Sequence, residues 1–387
     1  MKKLVSLLMA LAMLLSCVSF ASAEGEWKVA MITDSGDITD QSFNQTTYEA
    51  CKAFCEANNI EFKYYKPAGD STPDRVAMVD NAVEEGFNVI VMPGYLFGAT
   101  IVEVSEEYSD INFIALDVGA GDLLEAGVAL KGESYDYNPD NWNLTDYVYM
   151  DNVFAAVYQE ELSGYMAGYA AVKLGYKHLG FLGGMAVPAV IRFGYGYVQG
   201  VNAAAAEMGI ADQVTVEYVY GNQFYGDADI TAYMDNWYQN LGVEVVFACG
   251  GGIYSSAAEA AAKVGGKVIG VDTDQSPVIN RDYGEGITVT SAMKGLAATV
   301  NTMLAEVVAG NFDNYRGQIK TMGLVDADPA KNYVQIPAET TQWTDAYTYE
   351  NYVELVGKML SGEVVVDNGI GAMPETVVTV NEYGNIK

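Results

Sequence analysis

The sequence predicts an α/β fold of two doubly wound lobes with parallel sheets and a cleft between them. Three observations lead there. Short apolar runs with strand character alternate with amphipathic helical runs, which is the pattern of βαβ units. The alternation occurs twice, in similar form. Between the two series lies a stretch of different composition, 118–150. Its segment Ser134-Tyr135-Asp136-Tyr137-Asn138-Pro139-Asp140-Asn141-Trp142-Asn143 is rich in Tyr, Asn and Asp, as suits a surface loop with aromatic anchors.

In the first series, strands are expected at 27–33, 60–65, 88–92 and 112–116, with helices at 42–58, 73–85 and 98–109. The 118–150 stretch reads either as a packed insertion or as a lid or partner surface. Its Asn143-Leu144-Thr145 matches a glycosylation sequon, to which a bacterial-looking leader gives little weight. The second series begins with a helix at 156–174 and a strand at 178–182. Helices at 190–208, 227–241 and 253–264 then alternate with strands at 214–219, 243–248 and 267–271, and a further strand runs from 287 to 291.

The leader bounds the compartment. Lys2 and Lys3 precede an apolar core from Leu4 to Leu15, and Ala21-Ser22-Ala23 is a small-x-small cleavage site, so residues 1–23 read as an export signal. A competing reading is a lipobox, Leu14-Leu15-Ser16-Cys17, with Cys17 lipidated. Both place the mature chain outside the cytoplasm. No later segment has about 18 uninterrupted apolar residues. The formal charge is −31, and loss of Lys2 and Lys3 with the leader makes it −33. Such a surface repels nucleic acid and anionic lipid, so no nucleic-acid partner is expected.

Cys51 and Cys55 share a helix face and read as small buried apolar residues rather than a disulfide. His178 is the single histidine. It leaves no zinc cluster and no convincing Ser-His-Asp set, and no metal or cofactor is expected.

The richest chemistry follows the first strand. Asp34 ends an apolar run, and Ser35-Gly36-Asp37-Ile38-Thr39 leads into Asp40-Gln41-Ser42-Phe43-Asn44. Ligands of open α/β sheets bind at the carboxyl ends of strands. Carboxylates, amides, hydroxyls and one aromatic face suit a polar ligand carrying a flat ring. Each residue has a plainer alternative. Asp34 and Asp117 could cap turns, Phe43 could staple its helix, and Asn44 could line the helix start. Phe224, with Tyr220 as fallback, could be core packing. Asp272 and Lys294 could be an ion pair bracing a hinge, and Asp274 and Gln275 could cap the next turn. Gly250-Gly251-Gly252 lacks the spacing of a phosphate loop and reads as close backbone approach to a neutral ligand, with Gly251 at its centre. Arg192 reads as structural.

Several separated motifs resemble the basic membrane protein family, the purine nucleoside-binding proteins of ABC importers. Asp40-Gln41-Ser42-Phe43-Asn44 is similar to that family's Asp-Lys-Ser-Phe-Asn, with Gln41 in place of Lys. Gly94-Tyr95-Leu96-Phe97, Gly183-Gly184-Met185 with Pro188 and Ile191-Arg192-Phe193, Gly270-Val271-Asp272-Thr273-Asp274-Gln275, Thr290-Ser291-Ala292-Met293-Lys294 and Leu360-Ser361-Gly362-Glu363-Val364 follow in the family's order.

The resemblance covers about 28–370, outside 118–150. It implies the type I periplasmic-binding-protein fold, two Rossmann-like lobes joined by a hinge of three crossovers. The N-terminal lobe would hold 26–117 plus about 295–318. The first crossover would lie in 118–150, and the C-terminal lobe would hold 151–294 plus about 319–387. The resemblance also implies a ligand set. Phe43 and Phe224 would sandwich a base, with extra residues around Tyr225-Gly226 loosening the match at Phe224. Asp117 would meet the base edge, Asp34 the sugar side, and Asp272 and Lys294 the ribose hydroxyls; Asn44, by its own chemistry, could hydrogen-bond the base or equally cap the helix start. ABC permease subunits are the implied partners of a monomer without enzyme activity. Two other readings stay open: a sugar or signalling-molecule receptor of the same fold, and an extracytoplasmic nucleoside hydrolase.

Overall fold

The computed structural model describes residues 27–387; the leader and Cys17 lie outside them. The fold is the expected one. Two sheets, each wrapped by helices, share a cleft. The first sheet has the order β11-β5-β4-β3-β1-β2 and the second β12-β10-β9-β8-β6-β7-β13. In the first, β1 is Lys28–Ile32, β2 Glu61–Tyr65, β3 Val89–Pro93, β4 Asn112–Leu116, β5 Val153–Tyr158 and β11 Gln318–Met322. In the second, β6 is His178–Gly183, β7 Thr215–Tyr220, β8 Val245–Cys249, β9 Lys267–Asp272, β10 Thr288–Lys294, β12 Val334–Gln335 and β13 Thr379–Asn385. Among the described strands, only β12 pairs antiparallel, to β10.

The central strands are buried from end to end, which is why they read as continuous apolar runs. Each is followed by a helix. In the first lobe these are α1 (Phe43–Asn58), α2 (Thr72–Glu84), α3 (Phe97–Val104) and α4 (Ala120–Leu130). The second lobe carries α5 (Glu160–Lys173), α6 (Pro188–Glu207), α7 (Ala228–Asn236), α8 (Tyr254–Ala262) and α9 (Ser276–Tyr283). α10 (Leu296–Val308) returns to pack on the first lobe, and α11 (Tyr349–Leu360) packs on α5.

Two segments differ from the expectation. Residues 118–150 are no insertion outside the layers. They begin with α4, which packs on α3, and lead into β5, a further strand of the first sheet. The first passage between lobes therefore follows Tyr158 instead of falling within 118–150. The expected helix start at 156 lies inside β5. Val153–Tyr158 is a short apolar run joined directly to a helix, and periodicity cannot separate a buried strand from a buried helical turn at that length. β11 likewise belongs to the first sheet, so the last passage lies between Met322 and Val334. Cys51, Cys55 and Cys249 are buried free thiols.

Glycines set the closest helix contact. A Cβ on Gly164 or Gly168 of α5 would overlap the carbonyl oxygens of Phe193 or Tyr197 on α6. One on Gly196 or Gly200 of α6 would overlap those of Glu161 or Tyr165. The two backbones touch through these interlocked Gly-x-x-x-Gly pairs. That approach brings the starts of α5 and α6, with Glu160 and Arg192, to one point beneath the cleft.

Candidate ligand-binding site

A cavity of about 900 Å³ opens between the lobes. Asp34, Phe43, Asn44, Asp117, Phe224, Gly251, Asp272 and Lys294 all line it. They arrive from the loops that follow β1, β4, β7 and β8 and from the ends of β9 and β10.

The first-lobe wall is built around Asp40. Its carboxylate accepts from the backbone N–H groups of Ser42 (2.9 Å), Asn44 (2.9 Å) and Gln45 (3.0 Å). This satisfies the free amides at the start of α1 and holds its first turn rigid. Phe43 and Asn44 therefore face the cavity from a fixed element. Asn44 is buried; its Nδ2 donates to Asp34 Oδ1 (3.0 Å) and Asp40 Oδ2 (3.2 Å), and its Oδ1 has no partner. Asp34 Oδ1 also accepts from the Gly36 N–H (2.7 Å). Burial raises the Asp34 carboxyl to about 6, against the pull of these hydrogen bonds. Gly94 makes the room, since a Cβ there would lie 2.7 Å from Asp34 Oδ2.

Lys294 stands at the centre. Its side chain is 3% exposed, it pairs with Asp117, and its Nζ lies 3.6 Å from both Asp272 Oδ1 and Glu160 Oε1. Burial alone would disfavour its charge. Asp117, Asp272 and Glu160 outweigh that and hold its pKa above the usual lysine range. The ammonium also sits 4.8 Å from the centre of the Phe43 ring. Asp117 and Asp272 share an unusual backbone, with φ of 59° and 66°. The left-handed turn swings each carboxylate off its strand end and toward the cleft, a conformation Asp tolerates better than most residues. Asp117 Oδ1 is buried without a partner. Asp272 is raised to about 6 by burial, against Lys294 and a 2.5 Å hydrogen bond from Ser42 Oγ. Asp272 and Lys294 thus do form the bracing ion pair, and both still border the cavity.

The second-lobe wall is Phe224, seated on glycine. A Cβ on Gly184 would lie 2.5 Å from its ring, and one on Gly250 2.9 Å. Gly251, at φ 51°, passes beside the Phe224 carbonyl, and the Gly252 N–H donates to that oxygen (2.8 Å). The glycine run therefore serves Phe224 before it serves any ligand. Phe43 and Phe224 are each partly buried at the margin of a core, so the plainer readings as staple and packing are incomplete.

Asp274 caps the next turn as expected, accepting from the Ser276 N–H (3.1 Å). Gln275 does not. It is fully buried, and its Nε2 crosses the cleft to the Gln41 carbonyl (3.0 Å).

Two contributors, Glu160 and Asp122, are not among the expected site residues, and two tyrosines of the 118–150 stretch join them. Glu160 accepts from Arg192 Nε (2.6 Å) and faces Lys294; burial raises its carboxyl against both cations. Asp122 lines the cavity and is raised to about 6 by burial. Tyr135 and Tyr137 bring the 118–150 stretch to the cavity mouth. The paired glycines at 164/168 and 196/200 were the available signal for the first. Among the described residues, no group of three or more His, Cys, Asp and Glu could hold a metal ion, and no helix is long and apolar enough to cross a membrane.

Two α/β lobes of this strand order around one cavity have the architecture of the type I periplasmic-binding fold. Residues 27–366 match the Bmp family, described as ABC transporter substrate-binding protein PnrA-like. The chain belongs to that family. It is 26% identical to basic membrane protein B of Borreliella afzelii, over 92% of each chain. It is 24% identical to the ABC transporter nucleoside-binding protein BmpA of Lactococcus lactis, over 77% of this chain and 79% of that one. A solute-binding protein of an ABC transporter system from Aeropyrum pernix superposes with a TM-score of 0.62 at 21% identity, over 88% of this chain and 87% of the other, and shows the shared fold.

Proposed function

We propose that this protein captures a nucleoside, of the purine class, outside the cytoplasm and delivers it to the permease of an ABC importer. The observation that carries the reading is the cavity wall: one phenyl from each lobe, with buried acceptors between them. Asn44 Oδ1 and Asp117 Oδ1 lack donors, and a carboxyl raised by burial lines the cavity from each lobe, Asp34 from the first and Asp272 from the second. Unpaired buried acceptors call for a ligand that donates. A nucleoside donates from base N–H groups and ribose hydroxyls and presents two flat faces. In this reading Phe43 and Phe224 stack on the base, Asp117 and Asn44 take its edge, and Asp34, Asp272 and Lys294 take the sugar. Gly251 leaves room for the Phe224 carbonyl, and Gly184 and Gly250 for its ring.

Hinge closure of the lobes around the ligand would present the permease-binding surface. The leader exports the chain, and lipidation at Cys17 or cleavage after Ala23 decides whether it stays anchored. The protein works as a monomer that binds without turnover.

The test is a thermal shift of the mature chain, freed of carried-over ligand, with inosine, guanosine, adenosine, uridine, hypoxanthine and ribose. Ligand at about 100 times its Kd adds roughly 2.7 kcal/mol. Purine nucleosides should raise the midpoint, and ribose should not. Equal shifts with ribose and inosine, or none with any nucleoside, overturn the reading. Chromatography after incubation should return inosine intact.

A further inference from the structure

The family match ends at residue 366, and the chain beyond it reaches the ligand cavity. Residues 367–378 run along α6. Gln199 Nε2 donates to the Asp367 carbonyl (2.9 Å), and Asn202 Oδ1 accepts from the Val377 N–H (2.7 Å). On the way, Ile370 contributes to the cavity wall. β13 then adds parallel to β7, from Thr379 opposite Thr215 to Asn385 opposite Tyr220.

β13 is mostly polar, and the packing of Val380 on the core and of Tyr383 beside Trp237 and Tyr233 does not by itself fix its register. Glu217 of β7 does. It is 4% exposed and accepts from Asn381 Nδ2 (3.1 Å) and Tyr383 OH (2.7 Å), with His178 Nε2 at 2.7 Å. A buried carboxylate is costly without such partners, so the strand is held in one register. Past it, the Ile386 N–H donates to the Tyr220 carbonyl (2.8 Å). Lys387 pairs with Asp227 and reaches Gln223 Oε1 (3.4 Å). Asp227 also accepts from the first amides of α7, Asp229 and Ile230 (3.0 Å each), and from Gln223 Nε2 (2.8 Å). Tyr220, Gln223 and Asp227 bracket Phe224.

We propose that 367–387 is a strap that sets ligand affinity: it fixes the loop that presents Phe224 and closes the cavity rim with Ile370. The consequence for affinity rests on the reading that Phe224 stacks on the ligand ring. A pinned loop need not be ordered when the ligand arrives, so less binding energy is spent on ordering.

The test uses a mature chain lacking only residues 386–387, which keeps β13. Phe224→Ala and the combination complete the set. Hydrogen exchange without ligand should speed up at Gly252, whose amide holds the Phe224 carbonyl, and at the α7 amides of Asp229 and Ile230. Amides of β8 and β9 should not change. Unchanged exchange at the loop, or equal acceleration through β8 and β9, overturns the strap. With inosine, the shortened chain should bind roughly three- to tenfold more weakly, and the loss should vanish in the Phe224→Ala background. Losses that add in full overturn it as well. If the intact chain binds no nucleoside, the nucleoside reading fails while the exchange measurement still decides the strap.

Discussion

The two lobes share one strand order, β5-β4-β3-β1-β2 in the first and β10-β9-β8-β6-β7 in the second. Asp117 after β4 and Asp272 at the end of β9 occupy corresponding places with the same left-handed backbone. There the likeness ends. After β1, the first lobe places Asp34 and the Asp40-capped helix start. After β6, the second lobe places Gly184, bare backbone on which Phe224 rests. The first lobe is a wall of acceptors with a phenyl. The second is a phenyl on glycine with the cations Lys294 and Arg192, each paired to a carboxylate of the same lobe, Asp272 or Glu160. The difference teaches that the scaffold fixes where the turns meet, and the residues in those turns divide the chemistry.

The division breaks most severely at Lys294. Lys294→Met would leave Asp117, Asp272 and Glu160 facing one another without their shared cation. Removing one partner of a buried pair costs about 3–5 kcal/mol. Urea unfolding at pH 7 should show a loss of that size. At pH 5 part of it should return, because Asp272 and Glu160, already raised by burial and now without the cation that opposes it, take up protons in the folded state before they do in the unfolded one. A loss that does not depend on pH would mean that packing, rather than charge, had been removed.

The second lobe also depends on a glycine-mediated backbone contact between α5 and α6, tighter than the first lobe's approach of Gly98 on α3 to Asp122 on α4. Gly164→Ala should cost about 1–3 kcal/mol by overpacking. Gly357→Ala, on α11 with open space around its Cβ position, should instead be neutral or stabilise by about 0.5–1 kcal/mol. Equal effects in urea unfolding would sink the claim that glycine sets the α5–α6 distance.

Whether the two phenyls are equivalent is read from affinity. Phe43→Ala and Phe224→Ala should each weaken inosine by roughly 1–3 kcal/mol in titration calorimetry, with ribose unaffected. A loss confined to Phe43 would make the site one-sided and send Phe224 back to packing.

How much of this was legible in the sequence follows the same division. Turn residues after apolar strands announced themselves, so Asp34, Phe43, Asp117 and Asp272 could be named, and the βαβ alternation implied where they would meet. Glu160 could not be named. An acidic residue in the first turn of a helix is ordinary, and only the glycine-tight packing of α5 on α6 buries it against Arg192 and Lys294. β5 hid as the start of a helix because six apolar residues carry no period. β13 hid for the opposite reason: its pattern is mostly polar, and it is held by Glu217, a residue 164 positions away from Asn381.

The smallest expected effect separates the lobes by charge. Asp34 in the first and Asp272 in the second are both raised to about 6. Between about 4 and 6 the folded chain binds more protons here than the unfolded chain, so these two groups contribute stability at low pH that is lost as pH rises through 6. A ligand that donates to both carboxylates reverses the preference. It favours their charged forms, and binding releases protons. Inosine affinity should therefore fall by about twofold for each carboxylate between pH 7 and pH 6. Asp34→Asn and Asp272→Asn should each remove one of these factors, and calorimetry in buffers of different ionisation heat should count the protons released. If the two variants remove different shares, the carboxylate with the larger share carries more of the ligand, and the sugar leans toward that lobe. A flat profile in the intact chain would mean that neither carboxylate accepts from the ligand.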